Sequence, residues 1–232
     1  MCIRDRPWRA AFAAAEAGAE TVAKTLLVAS EDGSRQPQIF EGALIPALLD
    51  ALPAGQQVFC GNSLAIRDLD SFSGASDKPL RFFANRGASG IDGNLSTALG
   101  IARSTGSCVA LLGDLSAQHD LMALAAAASL ESGQLVVVVL NNGGGGIFDY
   151  LSVASLPEFE RGWLTPQGVD LVAAAQSLGV VGERVASLSA FTASLEQALR
   201  RGGVTLLEVS VDRQASVAGR RDFWQRVSGS IA

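Results

Sequence analysis

From residue 57 onwards, short apolar runs alternate with stretches in which apolar residues recur at helical spacing. The run Leu135–Leu140 contains only Val and Leu, which is typical of a strand buried on both faces of a parallel sheet. This alternation predicts an α/β fold with a doubly wound, mostly parallel sheet, whose ligands bind beyond the carboxyl ends of the strands. The predicted strands are 57–60, 80–84, 107–112, 135–140 and 204–211, and the predicted helices are 94–103, 120–130, 170–178, 188–200 and 214–227.

The N-terminal part is organised differently. Ala10–Lys24 is rich in alanine at helical spacing, Glu31–Gln38 is a polar loop or linker, and Phe40–Leu52 has the pattern of a second helix. The opening MCIRDRP has no periodicity and resembles translated sequencing-adapter sequence, so we expect the natural protein to continue upstream. The expected organisation is a non-native start at 1–7, a helix and linker from a missing upstream region at 8–38, and one C-terminal domain at 39–232.

Three polar, glycine-rich turns follow predicted strands, at Asn85–Gly93, Gly113–Ser116 and Asn141–Gly146. Asp114 and Asn142 lie 28 positions apart with one crossover helix between them, so their strands are expected to be neighbours. Carboxylate, amide and carbonyl oxygens are the ligands that Mg²⁺ prefers. For either residue alone the simpler explanation is favoured, a helix cap for Asp114 and a chain turn for Asn142, but the pair together with the first turn strongly favours a metal site.

The same turns suit a phosphate group. The N–H groups of Leu115 and Ser116 stand where a helix is expected to begin, and helix starts bind anions. The glycines at 143–146 allow a backbone to approach a ligand closely, although a glycine run alone could be a flexible loop. The pattern does not match G-x-G-x-x-G, so a nicotinamide site of the Rossmann type is poorly supported.

A further candidate is the segment 61–67, GNSLAIR, in which Ser63 and Arg67 share one face of a predicted helix. An arginine binds a carboxylate with two parallel hydrogen bonds, and a serine adds a third. From these residues alone, an N-cap at Asn62 or Ser63 and a surface ion pair between Arg67 and Asp70 are just as consistent.

Composition narrows the class of protein. Hydrophobic residues make up 48% of the chain, the net charge is -5 and the basic residues are scattered, which argues against a nucleic-acid surface. Three cysteines at wide spacing indicate a reducing compartment, with Cys60 and Cys108 as buried small apolar residues. The longest apolar run is too short to span a membrane and no signal peptide is visible, so we expect a cytoplasmic protein.

The three turns together resemble the diphosphate half of thiamine-diphosphate enzymes, which have an acidic GD turn followed about two dozen residues later by NN. The nine residues NRGASGIDG, the GNS-x-x-x-R segment and Leu115 after the GD narrow this resemblance to the MenD family, the synthases that join a 2-oxoglutarate-derived unit to isochorismate. The resemblance covers Trp8 to the C-terminus. Met122 departs from the family, which usually has Asn there, and His119 has no implied role.

The resemblance implies a role for each matching residue. Asp114, Asn142 and the Gly144 carbonyl would hold Mg²⁺ or Mn²⁺, and Ile91 would buttress the bent cofactor, although ordinary core packing is the alternative for an isoleucine. The residues implied to contact thiamine diphosphate are Ser89, Gly90, Ile91, Gly113, Asp114, Leu115, Ser116, Asn142, Gly144, Gly145, Gly146 and Ile147. The residues implied to face the substrates are Ser63, Arg67, Arg86, Ile147 and Phe148.

The implied function is that of a C-terminal fragment of a carboligase in menaquinone biosynthesis. The whole enzyme would decarboxylate 2-oxoglutarate and add the succinyl-semialdehyde unit to isochorismate, giving 2-succinyl-5-enolpyruvyl-6-hydroxy-3-cyclohexene-1-carboxylate and CO2. The resemblance implies a homo-oligomer, either a dimer or a tetramer. Catalysis by the cofactor also needs a glutamate from a pyrimidine-binding domain, for which this sequence has no counterpart. The chain alone is therefore expected to bind cofactor weakly and to be inactive. The alternatives are an acetolactate-synthase-like or 2-oxoacid-decarboxylase-like enzyme, and a non-catalytic cofactor-binding domain.

Overall fold

A computed structural model describes residues 6–29, 39–128 and 132–231. Its centre is a six-stranded sheet in the order β2-β1-β3-β4-β6-β5, and every pair of neighbours is parallel. The strands are β1 (Gln57–Cys60), β2 (Arg81–Phe83), β3 (Ser107–Gly113), β4 (Gln134–Asn141), β5 (Val181–Val185) and β6 (Gly203–Ser210). The helices are α1 (Arg6–Ala29), α2 (Glu41–Ala51), α3 (Leu64–Phe72), α4 (Asn94–Thr105), α5 (Asp114–His119), α6 (Ala123–Ala128), α7 (Leu171–Ser177), α8 (Leu188–Arg201) and α9 (Arg213–Ile231).

Helices cover both faces of the sheet, which confirms the predicted doubly wound α/β fold. Successive side chains of a strand point to opposite faces. Accordingly Val136 and Val138 of β4 join a core formed with α2, α3, α8 and α9. Val137 and Val139 join a second core formed with α4, α6 and α7. All four valines are fully buried, and this double burial explains why the run lacks polar alternation.

The structure differs from the prediction at two elements. The helix expected at 120–130 is present but begins later, as α6 from Ala123, and the separate short helix α5, which ends at His119, precedes it, while Leu130 lies outside the described residues. At this break the Asp120 carboxylate accepts hydrogen bonds from the N–H (2.7 Å) and the hydroxyl (3.0 Å) of Ser96 at the start of α4. Strand β5 was not predicted, because it lies at the sheet edge, where a mixed V-G-E-R-V segment is tolerated.

The N-terminal helix is confirmed and is longer than predicted, since α1 begins at Arg6. Residues 1–5 and the predicted linker Glu31–Gln38 lie outside the described residues. Within the described residues, none of the helices combines the length and the apolar character that a membrane span requires. The domain boundaries at residues 7 and 38 stay predictions.

A buried ion cluster attaches the last helix to the domain. Arg220 of α9 pairs with Asp68 of α3 and with Glu41 of α2 (3.2 Å), and the Ser216 hydroxyl donates to Glu41 (2.6 Å). Burial lowers the pKa of the Arg220 guanidinium, and the Glu41 carboxylate beside it acts in the opposite direction. Because removing one partner of such a cluster leaves a charge buried without compensation, α9 is held firmly against α2 and α3.

Candidate functional site

The three glycine-rich turns lie at one edge of the sheet, beyond the carboxyl ends of β2, β3 and β4. Strands β3 and β4 are neighbours, as predicted, and Gly113 is paired with Leu140. The residues that follow these two positions, including Asp114 and Asn142, therefore leave the sheet side by side.

Asp114 begins α5 and its side chain is buried at the end of β3. Burial raises the pKa of its carboxyl group to about 6, while hydrogen bonds from nearby backbone N–H groups, among them those of Leu115, Gly144 and Gly143, act in the opposite direction. The carboxyl group thus lies against the glycine turn of the neighbouring strand. A buried carboxylate of this kind is stabilised when a cation joins it.

The raised pKa predicts how stability depends on pH in the metal-free chain. The folded-state pKa of Asp114 lies above its ordinary value of 3.8, so the folded state favours the protonated carboxyl group. The contribution of Asp114 to folding stability is therefore fully present below about pH 4 and is lost as the pH rises through 6. At pH 4, we expect Asp114→Asn and wild type to unfold at the same urea concentration. At pH 7.5, we expect Asp114→Asn to be more stable than wild type by up to about 3 kcal/mol. Urea titrations from pH 4 to 7.5 check this, with the exposed Asp222→Asn as the control. A stability difference that does not vary with pH would contradict it.

Asn142 supplies an unpaired acceptor beside this carboxyl group. Its Oδ1 atom is buried and has no hydrogen-bond partner among the described residues. The chain turn is made by Asn141 instead, whose Oδ1 accepts from the Gly143 N–H (3.1 Å). The suggestion that Asn142 only turns the chain is therefore not supported, and a buried amide oxygen without a hydrogen-bond partner fits the role of a cation ligand.

These oxygens fit a hard divalent cation. In the described part of the chain, no three His, Cys, Asp or Glu side chains cluster into a metal site. The donors here would be the Asp114 carboxylate, the Asn142 amide oxygen and a backbone carbonyl, with the remaining positions left to phosphate oxygens and water. That donor set matches the preference of Mg²⁺ or Mn²⁺.

The glycines of the third turn are required by their surroundings. Gly143 and Gly144 have φ of +80° and +133°, in a range that disfavours residues with a side chain. A β-carbon at Gly144 would overlap the Leu164 carbonyl oxygen, and one at Gly146 would lie 2.7 Å from the Asn142 Nδ2 atom. The Gly145 N–H also donates to the Leu164 carbonyl (2.7 Å). The turn is therefore packed tightly against residues 160–164 and around the Asn142 amide.

The buried carboxylate of Glu208, on the neighbouring strand β6, holds the start of the third turn. Glu208 of β6 accepts a hydrogen bond from the Asn141 Nδ2 (2.5 Å) and forms an ion pair with Arg184 (2.9 Å), which also contacts Asp170 (3.0 Å). Glu208 and Arg184 were not among the predicted site residues, because β5 was not predicted and the neighbour of β6 was therefore unknown.

Asn62 organises the first turn, the loop 85–93. Its Oδ1 accepts from Arg86 (3.2 Å) and from the Ser89 hydroxyl (3.1 Å), and its Nδ2 donates to the Gly90 carbonyl. Asn62 was predicted only as a possible helix cap, although it lies in the GNS segment that carried the resemblance. The structure thus joins the GNS segment to the NRGASGIDG loop.

Ile91 is 41% exposed, so the suggestion that it packs in the core is wrong. Its carbonyl accepts hydrogen bonds from the Asn94 Nδ2 (3.2 Å) and the Ser116 hydroxyl (3.3 Å). An apolar side chain left exposed on a fixed backbone at this edge of the sheet is available to contact a ligand.

Arg67 and Arg86 line a cleft of about 470 Å³ together with Phe82 and residues of α3. Arg67 donates to the Ser63 carbonyl (2.8 Å), and within the described chain it forms no ion pair with Asp70. The alternative role of Ser63 as a helix cap is not supported either: Ser63 occupies the N-cap position with φ 67° and ψ -130°, but its side chain makes no capping hydrogen bond. Two arginines on one cleft suit a substrate that carries carboxylates.

The remaining candidates lie close to this edge. Ile147 and Phe148 are half-buried in the 3₁₀ helix Gly146–Tyr150, directly after the glycines. Met122 is 69% exposed between α5 and α6. Cys60 and Cys108 are buried as predicted, and burial raises the pKa of both thiols to about 12, so neither is a reactive thiolate.

Comparisons with known proteins agree with this geometry. Residues 71–209 match the family described as thiamine pyrophosphate enzyme, C-terminal TPP binding domain. The chain is 52% identical over 166 residues to the 2-succinyl-5-enolpyruvyl-6-hydroxy-3-cyclohexene-1-carboxylate synthase of Dechloromonas aromatica, over 71% of this chain and 30% of the relative. It is 40% identical over 228 residues to the synthase of the same name from Myxococcus xanthus, over 97% of this chain and 38% of the relative.

The fold is similar to a solved structure as well. Benzoylformate decarboxylase from Polynucleobacter necessarius superposes with a TM-score of 0.63 at 22% identity, over 79% of this chain and 35% of that chain. An identity this low supports the fold alone. The chain spans about a third of the length of the relatives it matches.

Proposed function

Since the chain belongs to the thiamine pyrophosphate enzymes by its C-terminal TPP-binding domain, we propose that it is the metal- and diphosphate-binding part of a MenD-type carboligase. The whole enzyme would decarboxylate 2-oxoglutarate, add the succinyl-semialdehyde unit to isochorismate and serve menaquinone biosynthesis. The named synthases among the relatives support the narrower assignment.

The observation that carries the proposal is the pair of oxygen donors at adjacent strand ends. Asp114 is buried with a raised carboxyl pKa, and the Oδ1 of Asn142 is buried without a partner among the described residues. In the proposed site these atoms and the Gly144 carbonyl hold Mg²⁺ or Mn²⁺, which in turn binds the diphosphate of thiamine diphosphate. The backbones of Gly113, Leu115, Ser116, Gly145 and Gly146 complete the diphosphate contacts.

The cofactor, when bound, supplies the electron sink that decarboxylation of a 2-oxoacid requires. The residues of this chain bind and orient. We propose that Ser89, Gly90 and Ile91 contact the thiamine ring system, and that Ile147 and Phe148 exclude water from its reactive end.

The cleft of Arg67 and Arg86 supports a dicarboxylate as the substrate. One guanidinium binds the carboxylate beside the keto group and the other binds the distal carboxylate of 2-oxoglutarate, with the exposed Ser63 at the start of α3. Pyruvate carries only one carboxylate, so an enzyme that acts on pyruvate would not need the second arginine. The presence of two arginines in one cleft therefore favours the carboligase over an acetolactate-synthase-like enzyme or a simple decarboxylase.

The remaining parts of the proposal concern the whole protein. A pyrimidine-binding domain that provides the catalytic glutamate would lie upstream of residue 8, followed by the helix and linker at residues 8–38, and two such chains would build each site in a cytoplasmic dimer or tetramer. The short alignment relative to the named synthases supports missing domains.

The test is an assay of this chain with the natural upstream coding region restored. We expect CO2 release from 2-oxoglutarate that depends on thiamine diphosphate and Mg²⁺, and formation of the adduct when isochorismate is added. In Arg67→Met, the KM for 2-oxoglutarate should rise about tenfold or more, which is the cost of losing a charged hydrogen bond. The exposed Arg103→Met on α4 serves as the control. A preference for pyruvate that Arg67→Met leaves unchanged would favour the acetolactate-type alternative, and cofactor binding without turnover would favour a non-catalytic domain.

A further inference from the structure

A buried amide joins two of the turns described above. Asn94, the first residue of α4, has no exposed surface and lies between the loop 85–93 and the start of α5. Its Nδ2 donates to the Ser116 hydroxyl (2.5 Å), to the Ile91 carbonyl (3.2 Å) and to the Gly90 carbonyl (3.3 Å). Its Oδ1 accepts from Asn85 (3.2 Å). All four polar neighbours belong to one turn or the other.

This arrangement is not a helix cap. The N-cap of α4 is Gly93, in a left-handed conformation with φ 73°, and no side chain caps it. A capping Asn would accept from backbone N–H groups of the first turn, whereas Asn94 mainly donates to carbonyls of the preceding loop. Helix formation therefore does not account for the residue.

The Ser116 hydroxyl completes a closed triangle. It accepts from Asn94 and donates to the Ile91 carbonyl (3.3 Å), so its single proton is used inside the protein. The Ile91 carbonyl consequently accepts two hydrogen bonds, one from Asn94 of α4 and one from Ser116 of α5. A shift of the α5 start would disturb the loop that presents Ile91, because buried polar groups cannot exchange their partners for water without cost.

We propose that Asn94, acting through Ser116, is a positioning residue that couples the diphosphate turn to the loop presenting Ile91. A diphosphate group bound at the turn 113–116 thereby fixes the position of the loop 85–93, which contacts the thiamine ring system. The inference rests on the proposed function, since it assumes that one ligand spans both turns.

The test compares a ligand that spans both turns with one that reaches only the first. Calorimetry measures the affinity of the chain for thiamine diphosphate and for inorganic diphosphate, both with Mg²⁺. For Asn94→Leu we expect thiamine diphosphate to bind about tenfold more weakly, as for one lost net hydrogen bond, with inorganic diphosphate within about twofold of wild type. Ser116→Ala keeps the backbone N–H groups and should show the same selective loss even if Asn94→Leu does not fold. The exposed Ser104→Ala on α4 is the control.

Hydrogen exchange provides a second readout that does not need the thiamine ring. Inorganic diphosphate with Mg²⁺ should protect amides of residues 86–93 in wild type and should leave them unprotected in Asn94→Leu and Ser116→Ala. Equal loss of both ligands, unchanged binding of both, or the same protection in wild type and variants would overturn the coupling. If a folded wild type binds inorganic diphosphate but not thiamine diphosphate, the proposed function is weakened and hydrogen exchange still decides the coupling.

Discussion

The Asp114→Ala chain is expected to lose magnesium-dependent binding of thiamine diphosphate, with affinity at least about a hundredfold lower than wild type. The Asp114 carboxyl group faces the glycine turn at the junction of β3 and β4, and its neighbours there are backbone N–H groups. Without it, the protein would offer a divalent cation only neutral oxygens, and a diphosphate that is bound without its cation would have no positive charge to balance it. Removing one member of a charged, buried pair typically costs about 3–5 kcal/mol, which corresponds to a factor of a hundred or more.

Isothermal titration with and without Mg²⁺ measures this effect directly. Asp222→Ala removes the same charge from an exposed position on α9, so its affinity should match that of wild type. Wild-type affinity in Asp114→Ala would rule out the proposed metal site. If a folded wild-type chain also fails to bind, repeating the titration with the upstream region restored separates a site that needs its partner domain from a wrong cofactor assignment.

The second large effect is expected at Gly144. Gly144→Ala places a β-carbon on the Leu164 carbonyl oxygen and demands a φ of +133°, which alanine adopts only with strain. Overpacking and backbone strain together should destabilise the chain by about 3 kcal/mol or displace the turn. In either case, magnesium-dependent binding of thiamine diphosphate should fall at least about tenfold, because the Gly144 carbonyl is a proposed metal ligand.

Gly162→Ala is the matched control, since it lies in the segment packed against this turn but has open space around its β-carbon position. Urea unfolding should show it within about 0.5 kcal/mol of wild type, as is usual for surface substitutions. Gly144→Ala with wild-type stability and wild-type cofactor affinity would show that the turn adapts freely, contrary to the packing described above.

The parts of the fold that sequence predicted best are those with strong periodicity. The unbroken Val and Leu run of β4 predicted a doubly covered strand, and the two turns after β3 and β4 predicted that Asp114 and Asn142 would lie side by side. Parallel neighbours align their carboxyl ends, so this prediction required only that the two strands be adjacent.

Other features depend on tertiary contacts that local pattern does not contain. The break between α5 and α6 is accompanied by the contact between Asp120 and Ser96 of another helix. Strand β5 is an edge strand and could keep charged residues. Asn94 and Glu208 are buried polar residues with partners in other segments, Ser116 for Asn94 and Asn141 for Glu208, so no spacing in the sequence indicates their roles. A cap of α3 by Asn62 or Ser63 was one of the alternatives, but Ser63 has a φ of 67° and its side chain makes no capping hydrogen bond.

The order of the strands also matters for how the chain is made. Strand β4 has β3 on one side, already synthesised, but its other partner β6 follows only after α7, β5 and α8. Until residues 203–210 leave the ribosome, the Val-rich strand has an open hydrogen-bonding edge and two apolar faces. Such an edge is a template for association with other chains. Biosynthesis of this domain therefore includes an interval in which a nascent chain that stalls before β6 exposes the apolar strand β4, a segment of the kind that chaperones protect from aggregation.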